Sequence, residues 1–190
     1  TQPWFRHCLQ VWPTWSPRLG IAVQTDVPGI LAELRRRGDR LAVAESLTGG
    51  LISAVIVAVP GASQSYLGAE VVYQPELKHE FLGVSAELIK QKGVINAEVA
   101  AQMAIGVREK FAKACDIHHE RVIGLATTGV AGPDTQDGQP VGLVFVAIAG
   151  FIGDIDDVRV YELYLEGDRN DIRGAAAAGA LQHLAEYLAV

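Results

Sequence analysis

A recurring junction constrains this chain more than any other feature. A short apolar run ends in a turn of small and hydroxyl-bearing residues, and a new regular segment starts directly after it. Residues 40–44 are too short for a helix and read as a strand. They empty into Glu45-Ser46-Leu47-Thr48-Gly49-Gly50, and a second apolar run begins at Leu51 and closes at Pro60-Gly61. The pattern returns downstream, where a strand over 121–127 runs into Thr128-Gly129-Val130-Ala131-Gly132-Pro133.

The segments between fit the same alternation. Asp26 before Val27-Pro28 marks a helix start, Ile30, Leu31 and Leu34 form its apolar stripe, and Gly38 stops it. Residues 50–59 are apolar on most faces and read as a buried helix. A strand over 66–73 follows, then helices over 75–82, 86–91 and 97–114. A polar loop at 134–140 leads to strands over 141–149 and 158–165, paired as a hairpin, and an alanine-rich helix spans 169–188. Strands alternating with helices predict an α/β fold: a largely parallel, mixed sheet of about five strands, covered on both faces. Ligands of such sheets sit outside the carboxyl ends of the strands. Ser46 and Thr128 fall at two such ends, and Tyr73 closes a third segment.

Composition narrows the function classes. The 190 residues suit one domain, placed here at 26–190, and a net charge of −6 argues against a nucleic-acid groove. An apolar fraction of 49% with 20% charged residues excludes disorder. No run approaches the roughly 18 apolar residues of a membrane span. Residues 1–25 hold all three tryptophans without helix or strand period, and read as an extension that packs on the domain or on a partner subunit; they do not read as a secretory leader. Cys8 and Cys115 lie far apart and read as reduced thiols of a cytoplasmic protein.

Taken alone, the residues leave the chemistry open. In the 45–50 turn, Ser46 or Thr48 can cap the helix that follows, and equally the turn can hold an anion or present Ser46 as a nucleophile. It lacks the Gly-x-Ser-x-Gly elbow, and Walker and Gly-x-Gly-x-x-Gly motifs are absent. None of the five histidines sits in a strand-end loop, so a base for Ser46 has to come from elsewhere. Lys78 is either an ordinary exposed helix lysine or a base made neutral by burial. Asp134, Asp137, Asp154, Asp156 and Asp157 lack calcium-loop spacing, and no zinc motif is present, so no metal or other cofactor is expected. At the start of the last helix, Asp168 or Asn170 reads as a cap, Arg169 as a clamp for phosphate or carboxylate, and Arg173 as a surface or structural partner.

Together the motifs resemble the CinA C-terminal domain family of competence-damage-inducible proteins. The stretches that carry the likeness are Ala44-Glu45-Ser46-Leu47-Thr48-Gly49-Gly50-Leu51, Val59-Pro60-Gly61-Ala62-Ser63, Tyr73 through Lys78 with Leu82-Gly83-Val84, Thr128-Gly129-Val130-Ala131-Gly132-Pro133, Pro140-Val141-Gly142 and Gly167-Asp168-Arg169. The resemblance runs from about residue 28 to 188 and implies a three-layer α/β/α sandwich with a mostly parallel sheet. Catalytic members of that family hydrolyse the carboxamide of nicotinamide mononucleotide. By this likeness Ser46 is the nucleophile, Lys78 the base and Tyr73 a supporting hydroxyl. Glu45, Thr48, Gly49, Gly50, Thr128, Gly129 and Arg169 then contact a small-molecule nucleotide. A homodimer or higher homo-oligomer is implied, with no nucleic acid or membrane partner. Gln74-Pro75 departs from the family's usual Ser-Asn, so the turn carrying Lys78 is expected to differ. A nucleotide-binding or regulatory module with little catalysis, and an amidase for another small carboxamide, stand as alternatives.

Overall fold

The computed structural model describes residues 25–189. The tryptophan-rich stretch read as an extension, with Cys8, lies outside the described residues apart from Thr25.

Five strands form one sheet in the order β2-β1-β3-β4-β5. They are β1 (Arg40–Glu45), β2 (Tyr66–Val71), β3 (Val122–Gly129), β4 (Leu143–Ile152) and β5 (Ile155–Tyr164). β1 runs parallel to both β2 and β3, and β4 runs antiparallel to β3 and β5. Four strands therefore point one way and β4 alone opposes them, which is the mixed, mostly parallel sheet expected. The carboxyl ends of β1, β2 and β3 share one edge, and that edge positions the candidate site.

The pleat sorts the side chains into two cores, because successive residues of a strand face opposite sides. Leu41, Val43, Ile123, Leu125, Val144, Val146 and Ile148 pack under α1 (Val27–Arg37), α2 (Leu51–Val57) and α6 (Arg169–Leu188). The other face meets α3 (Pro75–Leu82), α4 (Ala86–Lys92) and α5 (Ala97–Cys115), and along β1, β3 and β4 it is built mainly of small residues: Ala42, Ala44, Ala126, Ala147 and Ala149. That choice lets α5 lie very close to the sheet. A Cβ on Gly124 of β3 would stand 2.0 Å from the Ala104 carbonyl oxygen of α5. Because backbone, not a pliable side chain, occupies the space, Gly124→Ala is expected to lower the unfolding free energy by about 2–3 kcal/mol. Urea denaturation followed by circular dichroism checks this.

Helix ends follow the local signals. The Asp26 side chain accepts from Gly29 N–H and Gly38 closes α1 in the left-handed region. Asp168, not Asn170, caps α6, through a reciprocal pair with Asp171. Two expectations need correction. α2 is not buried all round: it lies in an outer layer with one face on the core, and Val57 is 61% exposed. The last hairpin is also longer than its polar residues suggested, since β5 includes Asp156 and Asp157. An edge strand tolerates charge because one side stays in water, and Asp156 is additionally held by Arg108 of α5 at 2.7 Å.

Candidate functional site

The chain leaves β1 at Glu45 and turns sharply through Gly49 and Gly50, which have φ of 58° and 94°. Two successive residues in the left-handed region require glycine, since a Cβ there costs roughly 1–2 kcal/mol per residue. The turn brings Ser46 to the end of the strand, 7% exposed.

Neither Ser46 nor Thr48 caps α2. The fully buried Glu45 carboxylate does, accepting from Gly50 N–H at 2.7 Å, Ile52 N–H at 3.3 Å, Ser53 N–H at 3.0 Å and Ser53 Oγ–H at 2.6 Å. The start of this helix therefore already holds an anion, the chain's own, and Glu45 is engaged with the protein on both oxygens. Substituting Glu45→Gln removes the charge facing these donors. We expect a loss of about 1–3 kcal/mol of stability, with an unchanged KM for any substrate of the cleft; chemical denaturation and steady-state kinetics read the two effects separately.

Lys78 comes from α3. Pro75 occupies the first helical position, where its fixed φ is preorganised, and Gln74 precedes it in extended conformation. With Gln74-Pro75 at its start, the helix carries Lys78 to Ser46. Lys78 is fully buried, and its Nζ lies 3.0 Å from Ser46 Oγ, 2.7 Å from the Val72 carbonyl oxygen and 3.2 Å from that of Tyr73. Burial pushes the amine down from the ordinary lysine range to about 8, with Glu76 pulling weakly the other way. The partners dictate the geometry of the neutral form. Carbonyl oxygens only accept, so the two N–H groups of a neutral amine go to Val72 and Tyr73, and the lone pair is left for the Ser46 hydroxyl hydrogen. A serine hydroxyl and a desolvated amine in this relation are the parts of a nucleophile–base pair.

Tyr73 joins through its backbone carbonyl. Its phenolic hydroxyl lies elsewhere, accepting from Arg169 Nη2 at 3.0 Å, and the residue is 54% exposed. The direct path from Ser46 to Lys78 is therefore the one this geometry offers, and a relay through the Tyr73 hydroxyl is not assembled. Arg169 also donates to the Gly132 carbonyl. Ser46, Tyr73, Gly129 and Arg169 line one cleft of about 120 Å³ together with Val94, Ile95, Asp134 and Gln136.

The threonines are buried behind this cleft. Thr48 Oγ1 and Thr127 Oγ1 are 3.0 Å apart, tying the turn to β3. Thr128 Oγ1 donates to the Val94 carbonyl at 2.9 Å, while Asp137 accepts from Val94 N–H at 2.9 Å. Val94 is thus held on both sides, and Thr128 shapes the cleft wall through it. Asp137 was not singled out for this; its one sequence signal is the Asp-Gly pair it forms with Gly138, a turn dipeptide compatible with its φ of 52°. Arg173 is a structural partner of the turn: its Nε donates to Leu47 O at 2.9 Å and its Nη2 to Thr48 O at 3.1 Å. Among the described residues no cluster of His, Cys, Asp and Glu could hold a metal ion, and no helix is long and apolar enough to cross a membrane.

Comparison with known proteins agrees with this architecture. The model of the CinA C-terminal domain matches residues 26–188. A putative competence-damage inducible protein of Halothermothrix orenii is 40% identical over 167 residues, covering 87% of this chain and 38% of its own length. A CinA-like protein of Acidobacterium capsulatum is 42% identical over 153 residues, or 80% of this chain and 34% of the relative. The chain thus spans a little over a third of the length of these curated relatives. Among solved structures, the competence/damage inducible protein CihA of Agrobacterium tumefaciens superposes with a TM-score of 0.74 at 27% identity, covering 94% of this chain and 100% of that one. With the family's model spanning the whole regular part of the described residues, this chain belongs to the CinA C-terminal domain family.

Proposed function

We propose that this domain hydrolyses the carboxamide of nicotinamide mononucleotide, releasing nicotinic acid mononucleotide and ammonia, with Ser46 as nucleophile and Lys78 as base. One observation carries the reading: a fully buried lysine whose Nζ is 3.0 Å from a serine hydroxyl and whose other partners are two carbonyl oxygens. A base must give up its charge near working pH, and burial moves the Lys78 amine toward that range while its lone pair faces the Ser46 hydroxyl.

In this mechanism the Ser46 Oγ–H proton passes to neutral Lys78 Nζ as Oγ bonds to the carboxamide carbon. The C–N bond then breaks, and the lysine proton goes to the departing nitrogen, which leaves as ammonia. Water attacks the acyl-serine and gives its proton to Lys78, and that proton returns to Ser46 Oγ as the acid leaves. Arg169, the cation of the cleft wall, supplies the planar fork suited to the ribose phosphate. The phosphate does not rest on the start of α2, because Glu45 already occupies it.

Catalysis is favoured over binding alone because Gln74-Pro75 leaves Lys78 on Ser46. Ammonia release from nicotinamide mononucleotide, free nicotinamide and an unrelated aliphatic carboxamide tests the reading. The mononucleotide is expected to have the highest kcat/KM; faster turnover of another carboxamide reassigns the substrate, and tight binding of the mononucleotide with no ammonia from any of the three removes the enzyme.

A further inference from the structure

A tetrahedral intermediate at Ser46 carries an oxyanion, and the start of α2 is closed to it. Gly50, Ile52 and Ser53 N–H groups all donate to Glu45, and Gly49 N–H donates to the Ser46 carbonyl at 3.1 Å. The N–H groups of Leu47 and Thr48 are different: among the described residues neither donates a hydrogen bond. They follow the nucleophile directly in sequence, and Leu47 lines the cleft with Ser46.

What fixes the orientation of these groups is on the far helix. Through Nε and Nη2, one edge of the Arg173 guanidinium grips two consecutive carbonyls, Leu47 O at 2.9 Å and Thr48 O at 3.1 Å. A trans peptide is planar, so its C=O and N–H point in opposite directions. Holding Leu47 C=O toward α6 turns the Thr48 N–H of the same peptide away from α6. Holding Thr48 C=O likewise sets the Gly49 N–H, which is the group found on the Ser46 carbonyl. Gly49 itself leaves Arg173 its room, since a Cβ there would stand 3.3 Å from Nη2.

We infer that Arg173 is a positioning residue for the proposed reaction: by clamping the Leu47 and Thr48 carbonyls it preorganises the Thr48 N–H as a donor to the oxyanion formed at Ser46. The assignment rests on Ser46 being the nucleophile. Arg173 touches no reacting atom, and its charge counts less than its fork. Lysine offers a point charge without the parallel donor pair, so it replaces the clamp only in part.

The experiment compares wild type with Arg173→Met and Arg173→Lys in two assays. One is turnover of nicotinamide mononucleotide. The other is the rate at which a fluorophosphonate becomes attached to Ser46, followed by intact-protein mass. Phosphonylation also builds negative charge on an oxygen, yet requires no natural substrate. Removing one oxyanion donor elsewhere costs about 10²–10³ in rate, so Arg173→Met is expected to slow both assays by about a hundredfold. KM should stay within about threefold and the pH limb of Lys78 should not move, because the ground state is untouched. Arg173→Lys is expected to recover part of both rates, and its melting temperature guards against a trivial loss of fold. Met-variant rates within about threefold of wild type in both assays overturn the inference. So does a fall in turnover arising wholly from KM. A wild type that is labelled at Ser46 but releases no ammonia instead overturns the amidase reading, and the labelling rates still decide the role of Arg173.

Discussion

Lys78→Met is expected to cut ammonia release from nicotinamide mononucleotide by about 10³-fold, within the range lost with a general base. Ser46→Ala should fall as far, and the double variant little further, because groups that act as a unit are lost as a unit. The structural reason is that, among the described residues, Lys78 Nζ is the group hydrogen-bonded to Ser46 Oγ. The Tyr73 hydroxyl is committed to Arg169, and the carbonyls of Val72 and Tyr73 are bonded to Lys78 itself. Methionine keeps the unbranched shape in the buried site while removing the amine, so circular dichroism should show an intact fold. Turnover in the two single variants equal to wild type would discard the pair. A double variant whose loss is the product of the single losses would mean that the two residues act independently.

The second large effect is on pH. In the proposed mechanism neutral Lys78 is the active form, and with its pKa pushed down to about 8 by burial, about a tenth of the amine is neutral at pH 7. At pH 6 the share is about one per cent and at pH 9 about nine tenths, so kcat/KM is expected to climb nearly a hundredfold between them and level off above about 8. The sign follows from the base: protonation removes the lone pair that faces the Ser46 hydroxyl. A rate that falls with rising pH across this window would assign the ammonium, not the amine, to the working enzyme. The same shift is linked to stability. The folded protein holds the Lys78 proton less tightly than the unfolded chain, whose lysine titrates near 10.5. Below about 8 both states are protonated and the folded state bears the full cost of the buried charge, about 3 kcal/mol. That cost is relieved as pH rises from about 8 to 10.5, so this group makes the protein more stable toward alkaline pH, the opposite slope to a lysine held by a carboxylate.

Much of the architecture could be read directly because its signals are local. Asp26 and Gly38 bracket α1, Pro75 starts α3 and Asp168 starts α6, each through a hydrogen bond or a backbone angle set within a few residues. The short apolar runs of β1, β3 and β4 are likewise visible in sequence. The boundaries that shifted lie where solvent decides: β5 accepts Asp156 and Asp157 because it is an edge, and α2 exposes Val57 because only one of its faces meets the core. Neither fact is encoded in the residues concerned, since both depend on what packs beside them.

The candidate site divides along the same line. Sequence alone determined which residues stand at the ends of strands, that a glycine pair follows Ser46, and through its motifs the family to which the chain belongs. Whether Lys78 was an exposed helix lysine or a buried amine stayed open, because burial is a property of the assembled sheet. Ser46 and Lys78 are 32 residues apart, and only the pairing of β2 beside β1 brings them within 3.0 Å. Arg173 lies 126 residues from Leu47, and the likeness that gives Glu45 to a ligand does not reveal that its carboxylate accepts from the start of α2. Tertiary structure made those decisions for a physical reason: hydrogen bonds and desolvation act over a few ångströms of space, whatever the separation along the chain.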